Sequence, residues 1–314
     1  GTAAVVGLLA LLQNYTEATG IYWRADGKMP GTFCGTFFHH TSAGAYFNTA
    51  WPLAVALTWL AWPRHRFLAI IGALVVIVLV AAHASHVSRF PQVAALLVAP
   101  VLWFGLKIKI SGPRPWLCGL AAMIALVLLI LIGGRTDTIG ARWHDLMNPV
   151  PIVMIHPPES AWNGLLRDDM LIPGTSHPGW FGDRFVAWRA AASAISERPL
   201  TGHGPGNWMG AASHHSDDPF VRTFYQFLQF THQDPLQTAV EWGIPAALAL
   251  GTLLVGALVA VVRTPEPLAL AAACGLAAVL LQSQLDFPLQ IPAIALNALV
   301  LAALGWSSLR PLTA

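Results

Sequence analysis

Long apolar runs separated by short basic connections decide what this chain can fold into. A helix needs about 20 predominantly apolar residues to cross a hydrocarbon layer of about 30 Å, and the sequence supplies such stretches repeatedly. After a run that ends near Leu12, they occupy residues 44–62, 67–82, 91–106, 116–132, 243–262, 268–285 and 289–306, which makes seven spans and one partial one. Inside lipid every backbone N–H and C=O has to be satisfied within its own segment, so runs of this length fold as helices. The predicted fold class is therefore all-α, a polytopic integral membrane helix bundle. A chain of 314 residues with only 10% charged residues and a mean hydropathy of +0.59 is too apolar for an ordinary soluble domain.

Lys and Arg in short loops resist translocation and so mark the cytoplasmic side. Arg64 and Arg66, then Lys107, Lys109 and Arg114, then Arg263, and finally Arg310 fall on alternate connections. The intervening connections are then external: residues 13–43, the turn at 85–89, a long segment at 133–242, and the turn near Asp286. Arg24, Lys28 and Arg89 run against this assignment. The organisation expected is residues 1–132 as N-terminal transmembrane helices, 133–242 as a large external loop with short helices, and 243–314 as C-terminal transmembrane helices. The chain starts at Gly1 within an apolar run, without an initiator Met, a basic n-region or a cleavage site, as expected of a fragment lacking upstream helices.

The external segment holds most of the His, Asp and Arg, so chemistry is expected there. Residues 148–178 are rich in Pro and Gly and read as irregular loop. Asp183 can cap a helix to about Glu197, with Phe185, Trp188, Ala192 and Ile195 at helical spacing and Pro199 as its stop. A glycine-rich turn at 201–207, a helix over 220–230 and another from Asp234 to Trp242 follow.

A net charge of +2 argues against nucleic acid as a partner, and an anionic ligand would have to be held by a few local cations. Cys34, Cys118 and Cys274 are far apart in apolar surroundings, so neither a zinc site nor a disulfide framework is indicated. His39 with His40, His83 with His86, and His214 and His215 with Asp217 and Asp218 raise a metal-binding alternative. No HExxH-type helix accompanies them, and no third ligand is set by spacing.

Polar groups beside membrane spans are costly to keep and count as functional candidates. Arg89, at the external end of a span, could reach a diphosphate at headgroup level with its planar fork of donors, or simply snorkel to lipid phosphates. Arg184 and Arg189 lie on the helix after Asp183, five positions apart, so only one is expected to face a site. His203 sits in a glycine-rich turn whose glycines let backbone amides approach an anion, but the turn lacks the Lys-Ser/Thr of a nucleotide-binding loop and follows no strand, so it reads first as a tight connection between helices. His232 precedes a helix that leads into the membrane, which suits an imidazole at the water–lipid boundary to take a proton from a sugar hydroxyl. Glu241, about two and a half turns later, is a structural partner rather than a direct relay.

Taken in order, these segments resemble the O-antigen ligase and polymerase superfamily of bacterial envelope enzymes. The resemblance rests on Gly35-Thr-Phe through Asn48, on Ser88-Arg89, on the stretch from Arg184 to Trp208 with its Gly-x-Gly-Pro-Gly-Asn turn, on His232 through Ile244, and on the Asp286-Phe turn. It implies transfer of a glycan from an undecaprenyl-diphosphate carrier to an acceptor hydroxyl on a lipid or glycan. The reaction would be metal-independent and need no cofactor, on the periplasmic side of the bacterial inner membrane. By that resemblance His232, Arg184 and Arg89 are the catalytic candidates, and Arg189, Arg222, His203 and Glu241 contribute to substrate binding. Polymerase, ligase and protein O-glycosylation share this donor. A transporter or flippase of lipid-linked substrates, and a structural subunit without activity, are the other readings; a transporter predicts ionisable residues deep within its spans.

Overall fold

The computed structural model describes residues 1–16, 18, 20–24, 35–37, 39–86, 88–109, 182–214, 229–263 and 266–307. Its helices are α1 (Thr2–Tyr15), α2 (His40–Ala61), α3 (Arg66–Ser85), α4 (Arg89–Lys109), α5 (Gly182–Glu197), α6 (Trp208–Ser213), α7 (Asp234–Trp242), α8 (Ile244–Arg263), α9 (Pro267–Gln282) and α10 (Pro292–Ser307). The chain is an all-α membrane protein. The expected span at 116–132, the irregular stretch at 148–178 and the helix at 220–230 lie outside the described residues, as do Cys34, Cys118 and Arg222.

Among the described residues, three helices are long and apolar enough to cross a membrane: Arg66–Ser85, Arg89–Leu106 and Ile244–Val261. The helix over His40–Ala61 has 22 residues, or about 33 Å at 1.5 Å per residue, but Thr41, Ser42, Asn48 and Thr49 make its buried stretch more polar. The last two helices are shorter than the runs at 268–285 and 289–306 suggest. α9 stops at Gln282 because Ser283, Gln284 and Leu285 turn instead, with the Leu285 N–H donating to the Gln282 carbonyl at 3.0 Å. Pro288–Gln290 then form a 3-10 turn, and α10 begins only at Pro292.

The bundle is organised around α9, which packs on α2, α4, α8 and α10. Small side chains make this possible, since helices in lipid associate through close packing and interhelical hydrogen bonds. Ala271, Ala272 and Ala278 are fully buried, and a Cβ on Gly275 would lie 3.1 Å from the Asn48 carbonyl oxygen and 3.2 Å from Leu301 Cδ1. Polar links reinforce the contacts: Asn297 Nδ2 donates to Thr49 Oγ1 at 3.0 Å, and Gln282 Nε2 donates to the Thr41 carbonyl at 3.0 Å. Outward, Leu74 on α3, Leu96 and Phe104 on α4, Leu248 and Val255 on α8, and Leu299 on α10 are exposed, an apolar exterior suited to lipid.

One end of the bundle gathers the start of α2, the end of α3, the start of α4, the end of α9 and the start of α10. Asn48 Nδ2 and a ring nitrogen of His83 both approach the Pro91 carbonyl, at 3.0 and 3.2 Å. Against this end stands a small layer of α5, α6 and α7, whose core is Ala187, Ala191, Ala194, Trp208, Ala212 and Val240. The glycine-rich turn fits α6 onto this layer. Gly202 has φ +66°, and a Cβ there would lie 2.5 Å from the Glu241 carbonyl oxygen, so a close approach and a left-handed backbone both require glycine.

Candidate functional site

The turn that leads into α7 carries His232 in a left-handed conformation, φ 56°, which is uncommon for a residue with a Cβ. Its neighbours hold it there. Thr231 Oγ1 donates to the Gln233 carbonyl at 2.7 Å and accepts from the Gln233 N–H at 3.2 Å. The Thr231 N–H donates to Gln237 Oε1 at 2.8 Å, and Gln237 Nε2 donates in turn to Glu241 Oε1. Pro235 occupies the first turn of the helix, where its fixed φ is already helical and no N–H is missed.

Across from this turn, the α9–α10 connection presents Asp286, 1% exposed. Asp286 Oδ1 lies 3.8 Å from His232 Nδ1, beyond hydrogen-bond length but within ion-pair range, and Nδ1 makes no hydrogen bond among the described residues. The His232 side chain is 24% exposed while Nδ1 itself is buried. Its solvent-facing part is therefore the part of the ring away from Asp286. Burial by itself would push the Asp286 carboxyl up, but His232 at ion-pair range and the charges of His39 and Arg184 outweigh it and hold the carboxyl below its ordinary value. A buried carboxylate thus has one guanidinium and two imidazoles around it.

Arg184, near the start of α5, reaches this connection directly: its Nε donates to the Leu285 carbonyl at 2.9 Å. Its guanidinium also lies 5.7 Å from the centroid of the Phe90 ring, within cation–π range. Phe90 follows Arg89, the first residue of α4, and Arg89 is 7% exposed. Arg184 thus lies at the N-terminus of the helix that Arg89 opens, where the backbone carries a partial positive charge. Phe287 joins the parts from below, its ring centroid 5.1 Å from that of His232, 5.7 Å from that of His39 and 4.4 Å from that of Phe230. His39 Nδ1 lies 2.6 Å from Thr41 Oγ1, and its ring stacks on His40.

The structure thus gathers His232, Arg184 and Arg89 at one end of the bundle. Arg189 is exposed on α5. His203 stands apart: a ring nitrogen lies 2.9 Å from the Ala194 carbonyl and 3.9 Å from Glu197. Ala194 is ten residues beyond Arg184, or about 15 Å along the helix. Glu241 sits in the same region, buried, accepting from Gln237 and offering its carbonyl to the Gly204 N–H at 2.9 Å. Both residues thus brace the α5–α7 layer.

Among the described residues no group of three or more His, Cys, Asp or Glu could hold a metal ion. His83 and His86 are edge-to-face, with one ring nitrogen of each 3.4 Å apart. The other His83 nitrogen lies 3.2 Å from the Pro91 carbonyl, and the other His86 nitrogen accepts from the Ser88 N–H at 3.1 Å. His214 is exposed, and His215, Asp217 and Asp218 lie outside the described residues. Cys274 is buried in the α9 core.

Sequence reasoning named Asp286 only as a connecting turn and within a resemblance, weighed His39 only as one of a metal-binding pair, and gave Phe287 no role. The signal was present, since Gln282-Ser-Gln-Leu-Asp286 is a polar break between two apolar runs, where a carboxylate is as costly as any residue already singled out. Comparison with known families matches a family model described as O-antigen ligase to residues 84–251, more than half of the chain. That range takes in Arg89, Arg184, the glycine-rich turn and His232, and ends before Asp286. No curated protein matches.

Proposed function

The chain belongs to the O-antigen ligase family, and from that premise we propose that it is a membrane glycosyltransferase moving a glycan from an undecaprenyl-diphosphate carrier to a hydroxyl group of a lipid or glycan acceptor. The observation that carries this reading is the convergence of Arg184, Arg89, His232 and Asp286 at one end of the bundle, with His232 offering its exposed ring edge to solvent.

In the proposed reaction the acceptor hydroxyl gives its proton to His232 as its oxygen attacks the anomeric carbon of the donor. The bond from that carbon to the phosphate oxygen breaks, and the diphosphate leaves with the electron pair. Arg184 and Arg89 stabilise the charge that develops on it, as preorganised donors do most effectively in a site shielded from water. Asp286 sits on the Nδ1 side of the His232 ring, so it favours the imidazolium formed by proton transfer. The lipid diphosphate is already an activated leaving group, so no nucleotide sugar is required. The two guanidiniums supply positive charge of the kind a metal ion supplies elsewhere, and activity is expected to survive a chelator.

The placement at helix ends favours chemistry at the headgroup level over translocation, which calls for ionisable groups deep within spans. We assign the site end to the periplasmic face of the bacterial inner membrane, because Arg64, Arg66 and Arg263 fall at the opposite helix ends. The test is transfer from an undecaprenyl-diphosphate-linked donor in reconstituted membranes, with the parent, Arg184→Ala and His232→Ala compared with and without chelator. Chelator-resistant transfer lost in both folded variants supports the reading. Transfer indifferent to both substitutions, or absent across donors and acceptors, refutes it.

A further inference from the structure

The proposed chemistry requires the His232 turn and the Asp286 turn to keep one fixed spacing, although 54 residues of chain separate them. Each turn has its own local bonds, from Thr231 and Gln237 in the first and the 3-10 turn at Pro288–Gln290 in the second, but those bonds do not set the distance between the two turns. Something has to join them. Asp234, two residues after His232 and 2% exposed, makes bonds to both ends of the Asp286 turn. Its N–H donates to the Ser283 carbonyl at 3.0 Å. Its Oδ2 accepts from the Leu289 N–H at 2.9 Å, and its Oδ1 accepts from Gln290 Nε2 at 3.1 Å. Ser283 lies three residues before Asp286, and Leu289 three after.

We propose that Asp234 is a positioning residue for glycosyl transfer, a three-point clamp that holds His232 at its working distance from Asp286; the proposal rests on the functional reading above. Through the same bonds Asp234 also keeps Phe287 between His232 and His39. Asp234 touches neither reacting group in this scheme and acts only through the two turns.

The chemistry of the clamp distinguishes it from a merely buried carboxylate. Burial pushes the Asp234 carboxyl up to about 7, with the neighbouring Asp286 adding to the rise, although the bonds from Leu289, Gln290 and Ser283 oppose it. Among the described residues the facing charged group from the packed α9–α10 connection is Asp286, and His232 lies on its own turn. The fold therefore disfavours the Asp234 carboxylate relative to the unfolded chain. An Asn at this position could preserve the clamp: its Oδ1 would accept from the Leu289 N–H, and its Nδ2 would donate to Gln290 once that amide is turned to present its oxygen. An Ala could make neither side-chain bond.

The experiment uses the full chain reconstituted in vesicles, with an undecaprenyl-diphosphate-linked glycan as donor, and compares the parent with Asp234→Ala, Asp234→Asn and Gln290→Ala. Asp234→Ala is expected to lower kcat at least tenfold with donor KM within threefold. Asp234→Asn should restore kcat to within threefold of the parent, and Gln290→Ala should fall between. Loss of kcat in Asp234→Asn equal to that in Asp234→Ala, or parental kcat in Asp234→Ala, overturns the proposal. If Asp234→Ala does not fold, the Asn and Gln290 variants decide the matter, since parental kcat in Gln290→Ala also counts against the clamp.

A second readout needs no substrate. A carboxyl raised in the folded state lowers stability progressively as pH rises from its unfolded value towards its folded one. The Tm of Asp234→Asn relative to the parent should therefore climb between pH 5 and about 7 and level off above about 8. A Tm difference that does not change with pH overturns the burial on which the clamp depends. Absence of transfer by the parent would instead overturn the functional reading, and the Tm series would still decide the clamp.

Discussion

Replacing Asp286 by Asn keeps the shape of the side chain and removes its charge, so it isolates what the carboxylate does for His232. The two side chains stand 3.8 Å apart, and at an effective dielectric of about 20 a full ion pair at that distance is worth about 4 kcal/mol. The contact is longer than a hydrogen bond, the His232 ring is partly solvated, and the Asn dipole replaces part of the field. About half of that energy, roughly 2 kcal/mol, is then lost from the transition state in which His232 has become positive, which corresponds to about a 30-fold fall in kcat. Single-turnover transfer with saturating donor measures this directly. Stability supplies a cross-check with a defined sign. Because the Asp286 carboxyl lies below its ordinary value in the fold, its contribution is present at neutral pH and is lost as pH falls through the folded value. The Tm deficit of Asp286→Asn should therefore be largest near pH 7 and shrink below about pH 4, where the parent's carboxyl also becomes neutral. Parental kcat in a folded Asp286→Asn, or an effect confined to KM, would refute the assignment of Asp286 to His232.

Other substitutions probe the frame around the site. Gly202→Ala places a Cβ 2.5 Å from the Glu241 carbonyl at φ +66°, whereas Gly206→Ala, at φ +74°, meets nothing within 4 Å; the first should cost at least about 2 kcal/mol and the second about 1 kcal/mol, a ranking read from thermal unfolding. Arg184→Lys keeps the charge but loses the Nε bond to Leu285 and the planar fork, so its kcat/KM should resemble that of Arg184→Ala rather than the parent. Gly44→Val would drive a side chain into Pro91 and His86, whose atoms lie 2.5 and 2.8 Å from the added Cβ. That overpacking should cost about 2 kcal/mol, and by displacing the first turn of α4 it should reduce transfer more than Gly206→Ala does.

The sequence makes visible what the solvent dictates. Lipid demands long apolar helices, so residues 67–82 and 91–106 announced α3 and α4. It penalises polar groups near spans, so Arg89, Arg184 and His232 could be picked out without coordinates. Helix ends were harder. The run at 268–285 reads as continuous because Leu285 is apolar, yet the chain turns after Gln282 so that Gln282 can reach the Thr41 carbonyl on α2. That partner is 241 positions away, and no local pattern encodes it. His203 stands in a turn that reads first as a tight connection between helices, and there Gly202 packs against the α7 terminus while the His203 ring meets the Ala194 carbonyl.

What the sequence withholds is which residue offsets the cost of which. A left-handed His232, a buried Asp234 and a buried Asp286 are each unfavourable alone, and a reading that weighs residues singly can report only that cost. The fold balances them in pairs across the chain. Thr231 and Gln237 stabilise the turn at His232, Leu289 and Gln290 satisfy Asp234, and Arg184 with two histidines supports the charge on Asp286. Every one of the last two sets comes from a different segment than the group it supports. The arrangement is therefore a tertiary property, and a segment spanning only residues 84–251 has the arginines and the histidine without the carboxylate that completes them.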